Sequence, residues 1–206
     1  MLDLEKKYYS KTIKYIAGTD EAGRGPIAGP VVAAAVIFPS KYQNNDINDS
    51  KKLTAKKREK LFDIIIKNAL AHAIIFIAPK EIDSINILEA SRLAMEKALH
   101  SLNHRYDLVL TDAMKLYHEQ CAVIPIIKGD SKSLAIAAAS ILAKVSRDRY
   151  MDKLNELYPQ YEFNKHKGYP TTRHLELVKK YGIIKDIYRH SYRPVKDIEF
   201  EQLSLL

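Results

Sequence analysis

Cysteine occurs once in these 206 residues, at Cys121, so the chain can form neither an internal disulfide nor a cysteine-built zinc cluster. No apolar run approaches the roughly 20 residues that span a bilayer, and the first residues, MLDLEKKYYSK, lack the apolar core of a secretory signal. Together these absences point to the cytoplasm. The seven histidines are scattered without an H-E-x-x-H pattern, and no serine, cysteine or histidine constellation suggests nucleophilic catalysis. His72 has no companion at metal-ligand spacing and reads as an ordinary strand residue. Repeats, low-complexity tracts and obvious linkers are also missing. What remains is one domain, with at most a small appendage, whose 47% hydrophobic content can bury a substantial core.

Negative charge is in deficit. The formal net charge is +8, a balance that attracts polyanions by counterion release. Six of the ten residues 51–60 are basic (Lys51, Lys52, Lys56, Lys57, Arg58, Lys60), a run that would also serve as a plain solvated helix face.

The stretch Tyr15 to Phe38, YIAGTDEAGRGPIAGPVVAAAVIF, places two adjacent carboxylates, a glycine-rich turn and an arginine between two apolar runs. The first run reads as a strand with Asp20 and Glu21 at its carboxyl end, and Val31 to Phe38 as a second strand. Two phosphate-loop templates fail here. Gly18 and Gly23 are followed by Arg24-Gly25 rather than Lys-Ser/Thr, and the later glycines have the wrong spacing for a dinucleotide fingerprint. Both templates need a helix next, where this chain has a strand.

Farther along, Thr54 is a plausible N-cap for a helix whose apolar stripe is Leu61, Ile64, Ile65 and Leu70. Ala71 to Ala78 reads as a third strand stopped by Pro79, and Asn86 to Leu102 as a helix. Asp107 to Leu110 is a short strand that ends at Thr111-Asp112; on spacing alone Asp112 could equally start a turn. Cys121 to Ile127 is a strand that Pro125 assigns to an edge or an irregularity. Lys128-Gly129-Asp130-Ser131 then leads into AIAAASILAKV, a helix small enough in side chain to lie flat on a sheet, with Asp130 or Ser131 also suited to cap it. Asp148 lies roughly five helical turns past Asp130 and suits an ion pair within the helix. From Tyr150 to Tyr192 seven of the thirteen tyrosines mingle with basic residues, as sugar and base contact would require. There Thr171 or Thr172 begins a short helix that runs to Tyr181, with Gly182 as its stop.

Carboxylates at the ends of separate elements, Asp20, Glu21, Asp112 and Asp130, cannot all stay ionised close together without cations. Oxygen ligands favour Mg²⁺ or Mn²⁺, and two such ions roughly 4 Å apart clamp the attacking and leaving oxygens of a phosphodiester displacement. Joined to a basic surface, that constellation indicates a nuclease or a polymerase-like enzyme.

The blocks GTDEAGRGPIAGPVVAAAV, NDSKKLT, VLTDA, KGDSKSLAIAAASILAKVSRDR, HKGYPT and SYRPV, in this order from Gly18 to Val195, resemble the signature blocks of bacterial ribonuclease HII. The resemblance implies an α/β ribonuclease H-like fold: a mixed five-stranded sheet flanked by helices. A single catalytic domain would cover residues 1–206, with a small C-terminal helical region from about 155 to 206 contacting substrate. It implies hydrolysis of the RNA strand of RNA/DNA hybrids, and cutting 5′ of ribonucleotides embedded in duplex DNA, with 3′-hydroxyl and 5′-phosphate ends. The associated roles are ribonucleotide removal from DNA and RNA primer removal. Asp20, Glu21, Asp112 and Asp130 would be the metal ligands and catalytic residues, for two ions, Mn²⁺ or Mg²⁺. Asp20 would touch both ions and Asp130 would lie on the side of the attacking water. Gly23, Arg24 and Gly25 would sense the 2′-hydroxyl through their backbone, Tyr169 would pack on the next deoxyribose, and Lys51 and Lys52 would steady phosphates. Ala113 stands where the family commonly has glycine. The related ribonuclease HIII carries an extra amino-terminal domain, for which this length leaves no room.

Two other classes remain distinguishable. A non-catalytic hybrid-binding protein would not need four carboxylates, which weaken polyanion binding when metal-free. A transposase or resolvase on the same fold would have no use for a sugar-sensing Gly23-Arg24-Gly25. The last residues, Gln202 to Leu206, resemble the short peptide that docks on the bacterial sliding clamp, though such an apolar tail could also pack on its own domain. No membrane partner is expected, and the chain is expected to be a monomer.

Overall fold

A computed structural model describes residues 3–117 and 120–203, with 201–203 described by backbone alone. Five strands form one mixed sheet: β1 (Ile16–Ala22), β2 (Val31–Ile37), β3 (Ala71–Ile77), β4 (Leu108–Asp112) and β5 (Ala122–Ile126). Their spatial order is β3-β2-β1-β4-β5. The Gly- and Pro-containing turn reverses the chain, so β1 and β2 pair antiparallel, as do β2 and β3. By contrast β1, β4 and β5 run parallel, with Thr19 opposite Thr111. Parallel neighbours end at the same rim, which is how Asp20 and Asp112 come to lie side by side. Pro125 lacks an N–H and sits in β5, an edge strand, as its chemistry requires.

Strand β2 is buried along its whole length and its side chains alternate between two cores. Val31, Ala33, Ala35 and Ile37 meet helix α2 (Pro79–His100) on one face. Ala34 and Val36 meet α1 (Ala55–Asn68) and α3 (Leu134–Leu157) on the other. Thr54 caps α1, accepting the N–H of Lys57 at 3.3 Å. The apolar face of α1 is Leu61, Phe62 and Ile65, with Ile64 half-buried; Leu70 lies beyond the end of the helix at Asn68 and is exposed. The expected stripe overran the helix because Leu70 is spaced as if the turn continued, whereas its N–H instead bonds the carbonyl of Ile37 at 2.8 Å to open β3.

Helix α2 also begins earlier than the sequence suggested. Pro79 both stops β3 and occupies the first helical turn, where its missing N–H costs nothing. Asn86, at φ 65°, breaks the helix, and its side chain accepts the N–H groups of Leu88 and Glu89, capping the second half that the sequence had shown. Asp148 pairs with Lys144 at 2.7 Å, one turn back on α3, as its spacing indicated.

The C-terminal helices, α4 (Phe163–His166), α5 (Thr172–Tyr181) and α6 (Arg193–Leu203), enclose a separate apolar cluster. Phe163, Val178, Tyr188 and Val195 pack there against Met151 of α3 and against Ile27 and Ala28 of the β1–β2 turn. Thr171 caps α5 and Gly182, at φ 87°, ends it. Within the cluster the rings of His166 and His174 stack 3.8 Å apart. His166 accepts the N–H of Gly168 at Nδ1 and faces the carbonyl of Tyr161 at Nε2. His174 meets the carbonyl of Tyr169 at Nδ1, so Nε2 accepts the Tyr188 hydroxyl at 2.9 Å. Each ring therefore has one donor and one acceptor nitrogen, the neutral form. Among the described residues no helix is long and apolar enough to cross a membrane.

Burial, helped by the neighbouring His166, lowers the pKa of His174 to about 4 from its ordinary 6.5. The unfolded chain then binds a proton that the folded chain refuses, so this contribution to stability is complete above about pH 6.5 and fades as pH falls toward 4. Urea unfolding of wild type and His174→Gln near pH 7 and pH 4.5 checks this: wild type should lose on the order of 2 kcal/mol more than the variant. Equal losses would contradict a neutral stacked pair.

Candidate metal centre and nucleic-acid cleft

Asp20 ends the buried part of β1, Asp112 ends β4, and Asp130 rides on the single helical turn Gly129–Ser131 that precedes α3. The turn is tied to β4 by the N–H of Gly129, which donates to Asp112 Oδ1 at 2.7 Å. One carboxylate oxygen from each of the three aspartates lies within 4.8 Å of the others, so two strands and a turn that lie far apart in the chain converge on one point. Ala113, next to Asp112, is at φ 56°, the left-handed region that favours glycine, which accounts for the glycine common at this position in the family it resembles.

The cluster is electrostatically uncomfortable without a cation. Burial raises the Asp20 pKa well above the carboxylate range, and the charges of Glu21 and Asp112 add to it, against a smaller opposing effect of the Ser140 hydroxyl and the Glu21 N–H. Asp130 is raised by burial and then by Asp112, with Lys51, 3.5 Å away, opposing. Glu21 is also raised by burial; Arg24, at 3.5 Å, pulls the other way. The remaining oxygen of Glu21, Oε2, is buried with no hydrogen-bond partner. An orphaned carboxylate oxygen beside three converging aspartates fits a divalent cation of the hard, oxygen-seeking kind.

Beside the acids opens a cavity of about 260 Å³. Asp20, Glu21 and Asp112 line it together with Gly23, Arg24, Gly25, Lys51 and Tyr169, so most of the candidates from separate parts of the chain share one cleft. Lys52 is exposed and lies outside the lining. The Tyr169 ring lies against Gly25, where an added Cβ would meet Cε1 at 3.4 Å.

Four polar lining residues were not anticipated: Ser50, Ser140, Lys144 and Arg147. Ser140, Lys144 and Arg147 follow one another at helical spacing on α3, a polar stripe along an alanine-rich helix that was available in the sequence. Ser140 also bonds Ser50 at 3.0 Å. Glu5 was missed as well. Its carboxylate accepts the Ser133 hydroxyl at 2.6 Å and the Ala135 N–H at 2.9 Å, anchoring the start of α3 beside Asp130 across 128 residues.

Residues 17–195 match the family described as Ribonuclease HII. A Ribonuclease HII of Caldanaerobacter subterraneus is 51% identical over 188 residues, 91% of this chain and 78% of that one. The crystal structure of ribonuclease H2 from Pyrococcus horikoshii OT3 superposes with a TM-score of 0.79 at 32% identity, over 91% of this chain and 98% of that one. The RNase HII of Archaeoglobus fulgidus, solved in a complex with PCNA, gives 0.69 at 26% identity over 85% and 92%.

Because the acids repel one another, neutralising one should stabilise the metal-free fold. Asp20→Asn is expected to raise unfolding free energy in chelator by about 1–2 kcal/mol, and to lose most of the stabilisation that added Mn²⁺ gives wild type. Thermal unfolding with and without Mn²⁺ measures both; a variant less stable in chelator yet still responsive to Mn²⁺ would remove Asp20 from the centre.

Proposed function

The chain belongs to the ribonuclease HII family, a metal-dependent endonuclease of the ribonuclease H type acting on RNA/DNA, and from that premise we propose that it cuts 5′ of ribonucleotides embedded in duplex DNA. The observation that carries this reading is the junction of three converging aspartates with a cleft floored by Gly23, Arg24 and Gly25. Among the described residues, the N–H groups of these three meet no acceptor within the chain. Free donors on a glycine-rich loop suit a 2′-hydroxyl, which only a ribonucleotide offers.

Asp20, Glu21, Asp112 and Asp130 would hold two divalent ions, Mn²⁺ or Mg²⁺, which supply charge neutralisation at the scissile phosphate and an activated water. Lys51, exposed and 3.5 Å from Asp130, would steady a phosphate entering the acidic site, and the exposed Lys52 would support it. Tyr169, 43% exposed beside Gly25, offers a face for the deoxyribose that follows the ribonucleotide. Arg24, paired with Glu21, limits the negative field that incoming phosphate meets. The products would carry 3′-hydroxyl and 5′-phosphate ends, and the enzyme would act as a monomer in the cytoplasm, in ribonucleotide and RNA primer removal.

A DNA duplex with one ribonucleotide, an all-DNA duplex and an RNA/DNA hybrid, each offered with Mn²⁺ or Mg²⁺ and then with chelator, test the proposal. Cutting should fall 5′ of the ribonucleotide, spare all-DNA and stop in chelator. Asp20→Asn should reduce turnover by at least about a thousand-fold, the equivalent of several kcal/mol, and Tyr169→Ala should weaken junction preference with metal binding unchanged. Cleavage of the all-DNA duplex, or undiminished cleavage by Asp20→Asn, would overturn it.

Docking on a sliding clamp through Gln202 to Leu206 belongs to the same proposal. The side chains of Gln202 and Leu203 and all of residues 204–206 lie outside the described residues; the support is the peptide's pattern and a relative solved with PCNA, a clamp protein. Deleting residues 202–206 should lower clamp affinity at least about tenfold in a direct binding assay; unchanged affinity would dismiss this partner.

A further inference from the structure

We propose that two buried arginines, Arg147 on α3 and Arg189 before α6, are positioning residues for ribonucleotide discrimination, because together they orient the backbone of the 23–30 turn. The inference rests on the reading that Gly23, Arg24 and Gly25 sense the 2′-hydroxyl. Arg147 is 1% exposed and Arg189 0%, and neither pairs with a carboxylate among the described residues. All but one of their partners are carbonyl oxygens, the exception being the Tyr192 hydroxyl, 3.0 Å from Arg189 Nη1. Arg147 donates from Nε to Pro30 at 3.0 Å, from Nη2 to Ala28 at 3.1 Å and from Nη1 to Lys167 at 2.9 Å. Arg189 donates from Nε to Gly29 at 2.9 Å, from Nη1 to Arg24 at 3.0 Å and from Nη2 to Gly23 at 2.7 Å. Its own N–H takes the Ile27 carbonyl at 2.8 Å.

Six of the eight carbonyls of residues 23–30, those of Gly23, Arg24, Ile27, Ala28, Gly29 and Pro30, are thus drawn inward. A peptide whose carbonyl is fixed has its N–H fixed too, on the opposite side. For Arg24 and Gly25, whose N–H groups share peptide units with the carbonyls of Gly23 and Arg24, that leaves donors unclaimed by the chain at the cavity wall. The arginine also sets which residue can stand there: Gly23 is at φ 94°, and an added Cβ would lie 2.1 Å from Arg147 Nε. Burying two positive charges without a counter-ion is costly, and no apolar filler could make these bonds, so the arrangement is an expensive way merely to fill space. The turn that carries Arg189 is itself braced: Asp83 accepts the N–H groups of His190 and Ser191, each at 2.8 Å. Neither arginine bonds Asp20, Asp112 or Asp130, so loop placement and metal binding are separable.

The test uses Arg189→Lys, which keeps the charge but not the fork. Three quantities are measured on the full chain: KM for a duplex with one ribonucleotide, Kd for an uncut all-DNA duplex by fluorescence anisotropy in Mn²⁺, and Mn²⁺ affinity by calorimetry. KM should rise about tenfold or more, as losing two charge-assisted bonds implies, while Kd and Mn²⁺ affinity stay within about twofold. Should Arg189→Lys fail to fold, Asp83→Asn loosens the same turn from the surface and should raise KM about threefold with the other two unmoved. An unaltered KM in a folded variant, or a uniform loss of all three, would overturn the inference. If instead wild type itself treats the two duplexes alike, the sugar-sensing reading of Gly23 to Gly25 fails and the arginines' role in discrimination falls with it, a failure told apart because it shows in the unmutated chain.

Discussion

Helix α3 can reach the sheet only because β1 has no side chain where the two cross. A Cβ on Gly18 would lie 2.4 Å from the backbone of Ala135 and Ile136, a distance that no rotamer relieves. With glycine there and Ala135, Ala137, Ala138 and Ala139 facing in, the helix lies against the strand at backbone range. That separation fixes much else. It sets Ser140 beside Asp20, places the Gly129–Ser131 turn over the end of β4, and carries Lys144 and Arg147 along the cleft. A larger residue at position 18 would lift the helix and spread the aspartates, so the acidic centre depends on an atom that is missing.

The centre is balanced against its surroundings. Raised carboxylates at Asp20, Glu21 and Asp130 record repulsion and desolvation together, an arrangement that a fold would avoid unless something positive compensated. Lys51 and Arg24 supply part of the compensation from the surface, and their exposure keeps their screening weak. Divalent cations would supply the rest. The net charge of +8 acts on a longer scale, drawing a polyanion toward a cleft whose immediate floor would repel it.

How much of this could be read from the sequence follows from the range of each interaction. Strands showed in short β-branched runs, and the edge position of β5 in a single proline, because these are local facts of backbone chemistry. Asp20, Glu21 and Asp112 were legible because they lie at the carboxyl ends of strands, and parallel strands end together, whereas Asp130, in the turn before α3, could equally have been a helix cap on spacing alone. Glu5 was not: nothing near it in the chain marks a cap for a helix beginning at residue 134. Nothing near Arg147 singles it out, and Arg189 is one more basic residue among the tyrosines, since burial by carbonyls leaves no acidic partner to notice. The early start of α2 was hidden by Asn86, whose side-chain cap makes the second half look like an independent helix. Leu70 had helical spacing but belonged to the next strand's approach.

The C-terminal region takes its place through the same turn that floors the cleft. The N–H of Ile27 bonds the carbonyl of Gly168 at 2.9 Å, that of Gly29 bonds Ile187 at 2.8 Å, and Ala28 pairs with Tyr188 as in a sheet. The segment that carries Tyr169 is held too, by Arg147 at the Lys167 carbonyl and by the His174 ring at the carbonyl of Tyr169 itself. Gly25 and Tyr169 are therefore two ends of one hydrogen-bonded frame. A frame of that kind cannot adjust one contact without the other, so a ribose at Gly25 and a deoxyribose at Tyr169 would be judged together. Selectivity for a junction between the two sugars would then come from rigidity between two contacts, each modest alone.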